Sequence, residues 1–200
     1  MTQIDLSEYN NGWKPKFNKV KFDELMENTP TNFIQGDKIF KFRRELIKTL
    51  LVSCGHLNQD SDLLDLCAGN EGSGKSHLSF QLAYVKWKLL TELNMINYPF
   101  TLDLIYYNVE QVMEAFDTYA HIPYMIYILD ESDSLSRNKW NDPLVKKFIS
   151  KLRKERKNLR LVTLNMPQLS ELLPTVTLTR VSLIYEVKVS TKGVDIIRGN

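Results

Sequence analysis

Cysteine is scarce in this 200-residue chain: only Cys54 and Cys67 occur, and they lack metal-ligand spacing. The three histidines, His56, His77 and His121, form no metal pattern either. Together these absences argue against a zinc-binding or disulfide scaffold and suit a reduced, intracellular protein. No apolar stretch approaches the ~18 to 20 residues needed to span a bilayer. The opening segment MTQIDLSEYNNGWKPK has no apolar signal-peptide core. The expectation is therefore a cytoplasmic chain, neither secreted nor embedded in a membrane. A net charge of +2 is too small to argue for a polyanionic partner from the total, so any such case must rest on where the charges sit. No repeat or low-complexity segment stands out.

What is present is ordinary globular material, 43% hydrophobic and 25% charged, enough for one α/β domain with a sizeable core. Residues 1–35 are polar, carry Pro15 and Pro30, and scatter Tyr9, Trp13, Phe17, Phe22 and Phe33 without a clean period. They read as an N-terminal arm, extended or docking a partner, ahead of a main domain spanning 36–200. From Asp37 to about Leu51, the spacing of Ile39, Phe42, Leu46 and Leu50 predicts a helix. Strand and helix then alternate. LLDLCA (63–68) predicts a buried strand, HLSFQLAYVKWKLLTEL a long helix, and LDLIYYN (102–108) a second strand ending at a helix-capping Asn108. PYMIYILD (123–130) reads as a central strand covered on both faces, Asp142 and Pro143 open a helix, and LRLVTLN (159–165) is a fourth strand. VSLIYEVKV and VDIIRGN, separated by a short polar turn, predict a closing pair. The pattern is a three-layer α/β sandwich with a mostly parallel central sheet and antiparallel strands near the C-terminus.

Gly69-Asn70-Glu71-Gly72-Ser73-Gly74-Lys75-Ser76 satisfies G-x-x-x-x-G-K-[ST] at every specified position, between an apolar strand and an amphipathic helix. Glycines let a backbone wrap closely around phosphate oxygens, and the loop N–H groups with the helix N-terminus give those oxygens a positive field. Lys75 would reach the β- and γ-phosphates and the Ser76 hydroxyl would ligate Mg²⁺. His77, which follows on the helix, belongs to the segment that would contact the nucleotide, although its position suits packing as well. A chance glycine-rich turn would explain neither the preceding strand nor the following helix.

Downstream, a strand ends in Asp130 and Glu131. Asp130 can hold Mg²⁺ directly or through water, and Glu131 can orient and deprotonate an attacking water, so hydrolysis is expected as well as binding. The alternative is a solvated loop start. A GTPase would show an Asn-Lys-x-Asp motif, whereas the nearest string, Asn138-Lys139-Trp140-Asn141, lacks the aspartate and comes too early. No substrate lid of the kind a nucleotide kinase needs is evident. Asn165 ends the strand expected beside the phosphate-loop strand and is the candidate polar sensor of γ-phosphate or lytic water. The alternative is a plain turn former before Met166-Pro167, for which asparagine is well suited.

From about residue 62 to 198 these motifs resemble the additional-strand, catalytic-glutamate P-loop ATPases. Within them the chain is most similar to FtsK/HerA-type translocases, zonula-occludens-toxin-like phage proteins and viral genome-packaging ATPases. The segments DESDSLSRNKW, KKFISKLRKERKNLRLVTLNMPQLSELL and LTRVSLIYEV carry that narrower likeness. It departs at the fourth strand, where such proteins commonly carry glutamine and this chain has Asn165, with Gln168 after the proline. The resemblance implies ATP and Mg²⁺ as cofactors and a ring, pentameric or hexameric, in which a neighbour's arginine completes each site. Arg137, Arg156 and Arg180 are the candidates for that arginine.

Residues 146–160 hold eight cations, Lys146, Lys147, Lys151, Arg153, Lys154, Arg156, Lys157 and Arg160, against one acid, Glu155. Such a face could track double-stranded DNA by neutralising phosphates, or could be an ordinary solvated helix face. Two functions follow as expectations. One is an ATP-driven DNA motor for viral or plasmid genome packaging or transfer. The other is an ATP-switched assembly or helicase-loader protein that engages a protein partner through residues 1–35.

Overall fold

The computed structural model describes residues 6, 9, 14–57, 62–130, 135, 141–154, 160–167, 181–190 and 193–198. Its centre is a six-stranded sheet, built from β3 (Leu63–Ala68), β4 (Ile105–Tyr106), β5 (Ile126–Leu129), β6 (Leu161–Met166), β7 (Val181–Ser190) and β8 (Gly193–Arg198). The spatial order is β4-β5-β6-β3-β7-β8. The first five run parallel and β8 closes the edge antiparallel to β7, as the sequence pattern predicts. Every residue of β3, β5 and β6 is buried, which is why these segments are apolar runs and not alternating patterns.

Four helices accompany the sheet: α2 (Arg44–Leu57), α3 (Lys75–Glu92), α4 (Val109–Thr118) and α5 (Pro143–Lys154). The chain moves three strands one way through α3, from β3 to β4, and then back one strand at a time through α4 and α5. Right-handed crossovers therefore put α3 on one face and α4 and α5 on the other. The sandwich has its three layers: α2 packs on α3 and α4 on α5. Asn108 caps α4 as expected, accepting from the Gln111 N–H at 2.9 Å. No helix among the described residues is long and apolar enough to cross a membrane.

Four local readings differ. The helix expected from Asp37 begins only at Arg44, because Lys38–Lys41 is a strand, β2, hairpinned to β1 (Asn32–Gln35) around Gly36 at φ +56°. Phe33 pairs with Phe40 facing the core, and Ile34 with Ile39 facing out, so a period of two overrides the apparent helical spacing. The stretch before residue 36 also carries a helix, α1 (Lys19–Glu27), whose N-terminus is capped by the Asn18 side chain. Leu25 and Phe33 join the core. The strand expected over 102–108 is reduced to two residues, since Thr101 caps a single helical turn at Leu102–Leu104 by accepting from the Asp103 N–H. Tyr124, at φ +58°, delays the start of β5 until Ile126.

Candidate functional site

The strand order brings the chemistry together. β6 lies between β3 and β5, and the register sets Asn165 opposite Cys67, two residues before Gly69. Asp130 follows β5 directly, its N–H donating to the Tyr106 carbonyl at 2.8 Å. The loop after β3, the end of β5 and the end of β6 thus meet at the carboxyl edge of the sheet, where open parallel sheets hold their ligands.

The loop is shaped by its glycines. Gly72 and Gly74 adopt φ +72° and +90°, in the left-handed region that favours glycine. Gly69 is required for space: a Cβ there would lie 2.4 Å from the Val187 carbonyl oxygen of β7 and 2.8 Å from Ser73 Oγ. Ser73 is buried, and its hydroxyl has no hydrogen-bond partner among the described residues. Gly74 is the N-cap of α3 and, having no side chain, leaves the first helical N–H groups without a side-chain cap. That is the electropositive end on which a phosphate can sit. Lys75 donates to the Asn70 carbonyl at 3.0 Å, so its ammonium rests across the loop.

Around the first turn of α3 the polar side chains close a circuit. Ser76 Oγ donates to Asp130 Oδ1 at 2.9 Å. Asn165 Nδ2 donates to the same Oδ1 at 2.9 Å and to Ser79 Oγ at 2.9 Å. Ser79 Oγ in turn donates to the Ser76 carbonyl at 3.0 Å. Asp130 stays partly exposed and Ser76 exposed, whereas Ser79 and Asn165 are buried. Cys67 lies beneath, donating to the Lys75 carbonyl at 3.7 Å, and burial pushes its thiol up to about 12 despite the nearby Lys75 charge.

Of the residues singled out in the sequence, Gly69, Asn70, Glu71, Gly72, Ser73, Gly74, Lys75, Ser76 and His77 form one continuous loop and helix start, which Asp130 and Asn165 join. Glu131, Arg137, Arg156, Gln168 and Arg180 lie outside the described residues. His77 is not packed: it is exposed, with its Nε2 2.7 Å from Gln81 Nε2.

The basic stretch thins on inspection. Arg160 is 3% exposed, donates to the Phe116 carbonyl at 2.7 Å and lies 4.2 Å over the Phe116 ring. Lys151 is tied to the Met113 carbonyl at 2.9 Å and to Asp117 at 2.5 Å. These two cations serve α4 instead of an open face, while Lys146 and Lys147 are exposed.

Two polar features escaped the sequence reading. Ser79, three residues after Ser76 and so on the same side of the helix, was legible from spacing alone. Asp65, a carboxylate inside an apolar strand, demanded a partner. It has two: the Lys86 ammonium of α3 and the Tyr185 hydroxyl of β7, the latter at 3.2 Å.

The residues fit a magnesium–triphosphate complex. Left-handed glycines, uncapped helical N–H groups and Lys75 suit phosphates, and the Ser76 hydroxyl and Asp130 carboxylate are the hard oxygen donors that Mg²⁺ prefers. No group of three or more His, Cys, Asp or Glu gathers among the described residues. A cation held largely by phosphate and water oxygens needs none. A scan against protein-family models finds no match for the chain, and a comparison with curated protein sequences finds no significant one.

Proposed function

We propose that this chain is a Mg²⁺-dependent ATPase that works as a motor on DNA. The observation that carries the ATPase reading is the convergence of Lys75, Ser76, Asp130 and Asn165 from three separate segments at one edge of the sheet. The loop N–H groups and Lys75 bind the β- and γ-phosphates, and Ser76 and Asp130 hold the metal. Bound Mg²⁺ supplies charge neutralisation on the phosphate oxygens. Glu131, next in sequence to Asp130, accepts the proton of a water that attacks the γ-phosphorus in line while the bond to the β-phosphate oxygen breaks. Phosphate and ADP leave.

The motor reading rests on the resemblance to DNA-pumping ATPases and on the exposed Lys146 and Lys147 of α5. A ring of subunits, with an arginine completing each neighbouring site, follows from the same resemblance. One observation favours the assembly-protein alternative: the β1–β2 hairpin exposes Ile34 at 61% and Ile39 at 58%, paired across the strands. Two such side chains form a small apolar spot suited to a protein contact.

Steady-state ATP hydrolysis at low salt, with and without double-stranded DNA, separates these readings. In the motor, turnover rises with DNA and Glu131→Gln lowers it by at least about a hundredfold, consistent with removal of a general base. Turnover that disappears in the variant but ignores DNA removes the motor and leaves the assembly protein. Absence of turnover in the wild type overturns the ATPase.

A further inference from the structure

Asn165 has an amide with two N–H donors, and both have acceptors within the protein, Asp130 Oδ1 and Ser79 Oγ. Its orientation is fixed by chemistry: an ionised carboxylate only accepts, so the amide nitrogen must face Asp130. Ser79 has one hydroxyl hydrogen, directed to the Ser76 carbonyl, so it accepts from Asn165. The four bonds form a ring: Ser76 Oγ to Asp130, Asp130 to Asn165, Asn165 to Ser79, and Ser79 back to the Ser76 backbone. Asn165 is 1% exposed and Ser79 fully buried, so neither presents a surface to a nucleotide. What the ring holds in place is a pair of oxygens on the two members that keep some exposure.

Those oxygens, Ser76 Oγ and Asp130 Oδ1, are 2.9 Å apart. Two adjacent ligands of an octahedral Mg²⁺ with bonds of about 2.1 Å are separated by about 2.9 to 3.0 Å. Free side chains on two different elements would have to find that spacing at an entropic cost, whereas here it is preset.

We infer that Ser79 and Asn165 are positioning residues that clamp Asp130 against Ser76, so that the metal arriving with the nucleotide meets its two protein oxygens already spaced. The inference rests on the nucleotide-binding reading and assigns to the chain a partner, Ser79, that lies outside the phosphate-loop motif. Outer partners of this kind typically contribute 10- to 100-fold in metal affinity.

The test is Mn²⁺ binding, followed by the resonance of the free ion, to protein held saturated with a non-hydrolysed ATP analogue, together with analogue affinity in EDTA. Ser79→Ala should weaken Mn²⁺ by about tenfold or more while the metal-free affinity, set by the loop and Lys75, stays within about twofold. Asn165→Ala opens the same ring elsewhere, and the double variant should be no worse than the more affected single one. Folded variants whose Mn²⁺ affinity matches the wild type overturn the clamp and leave nucleotide binding standing. An equal loss of analogue affinity with and without metal also overturns it, because the residues would then support the loop in general. A wild type that binds no analogue under either condition overturns the nucleotide reading, and the clamp with it.

Discussion

Helix α3 is joined to the sheet by two polar clusters, and they are built on opposite principles. At its first turn, Ser76, Asp130, Asn165 and Ser79 make a ring of neutral and charge-assisted hydrogen bonds whose outer members remain open to solvent. Ten residues on, roughly 15 Å along the axis, the Lys86 ammonium meets Asp65, which also accepts from the Tyr185 hydroxyl, with side chains of the ion pair only 4% and 1% exposed. The outer cluster holds groups whose bonds can be exchanged when a ligand arrives. The inner one is sealed, with burial and the Asp65 charge pushing the Tyr185 hydroxyl well above its ordinary range so that it stays a donor. One end of the helix is prepared for exchange, and its middle is anchored.

The sharpest break of this comparison comes from the inner cluster. Lys86→Ala leaves a buried carboxylate without its cation and should lower stability by about 3–5 kcal/mol, read as a denaturant midpoint. Replacing the whole set, D65L together with K86M and Y185F, removes every polar group at once and should restore or exceed wild-type stability. If the anchor also orients the phosphate loop, the refilled variant would be stable yet bind ATP more weakly. If α3 needs only packing there, binding would be unchanged.

Next in size is the wall between the loop and β7. A Cβ at Gly69 would lie 2.4 Å from the Val187 carbonyl oxygen, backbone that cannot rotate away. Gly69→Ala should lower stability by about 1–3 kcal/mol through overpacking. It should weaken ATP-analogue binding more than the stability loss alone explains, because the displaced segment is the phosphate loop itself. A melt and an analogue titration on the same preparation check this. A variant that loses stability but binds normally would make Gly69 a packing residue only.

Most of the outer cluster was legible in the sequence, because its pattern is local: Gly69, Gly74, Lys75 and Ser76 match the spacing of a phosphate-loop motif, and Asp130 ends an apolar strand. That the strand ending in Asn165 lies beside β3 was anticipated and is present in the fold, whereas the place of β5 on its other side was not. The inner cluster was not seen, since Asp65, Lys86 and Tyr185 are separated by 21 and 99 residues and only the folded register joins them. Arg160 misled for a related reason: charge alone suggested a surface, while its flat cation is enclosed by Phe116 and Tyr127. Strand β2 was mistaken for helix because Ile39, Phe42, Leu46 and Leu50 mimic a turn spacing across a boundary that the sequence does not mark.

The smallest expected effect uses the two cysteines, one beside each cluster. Cys67 touches the Lys75 carbonyl, and Cys54 lies within the influence of Lys86 and Asp65. Burial pushes both thiols up to about 12, from an ordinary 9.0. A thiol raised in the folded state favours folding below pH 9.0, and that contribution is lost as pH climbs from 9.0 toward 12. At pH 8 neither should react with a thiol reagent until the chain opens. In the single-cysteine variants C54A and C67A, labelling rates then report opening at each cluster separately. ATP analogue with Mg²⁺ should slow Cys67 labelling several-fold and Cys54 labelling less, because only the outer cluster gains bonds to the ligand. Equal protection would mean that α3 opens as one unit and that the two clusters, different in construction, are not separable in motion.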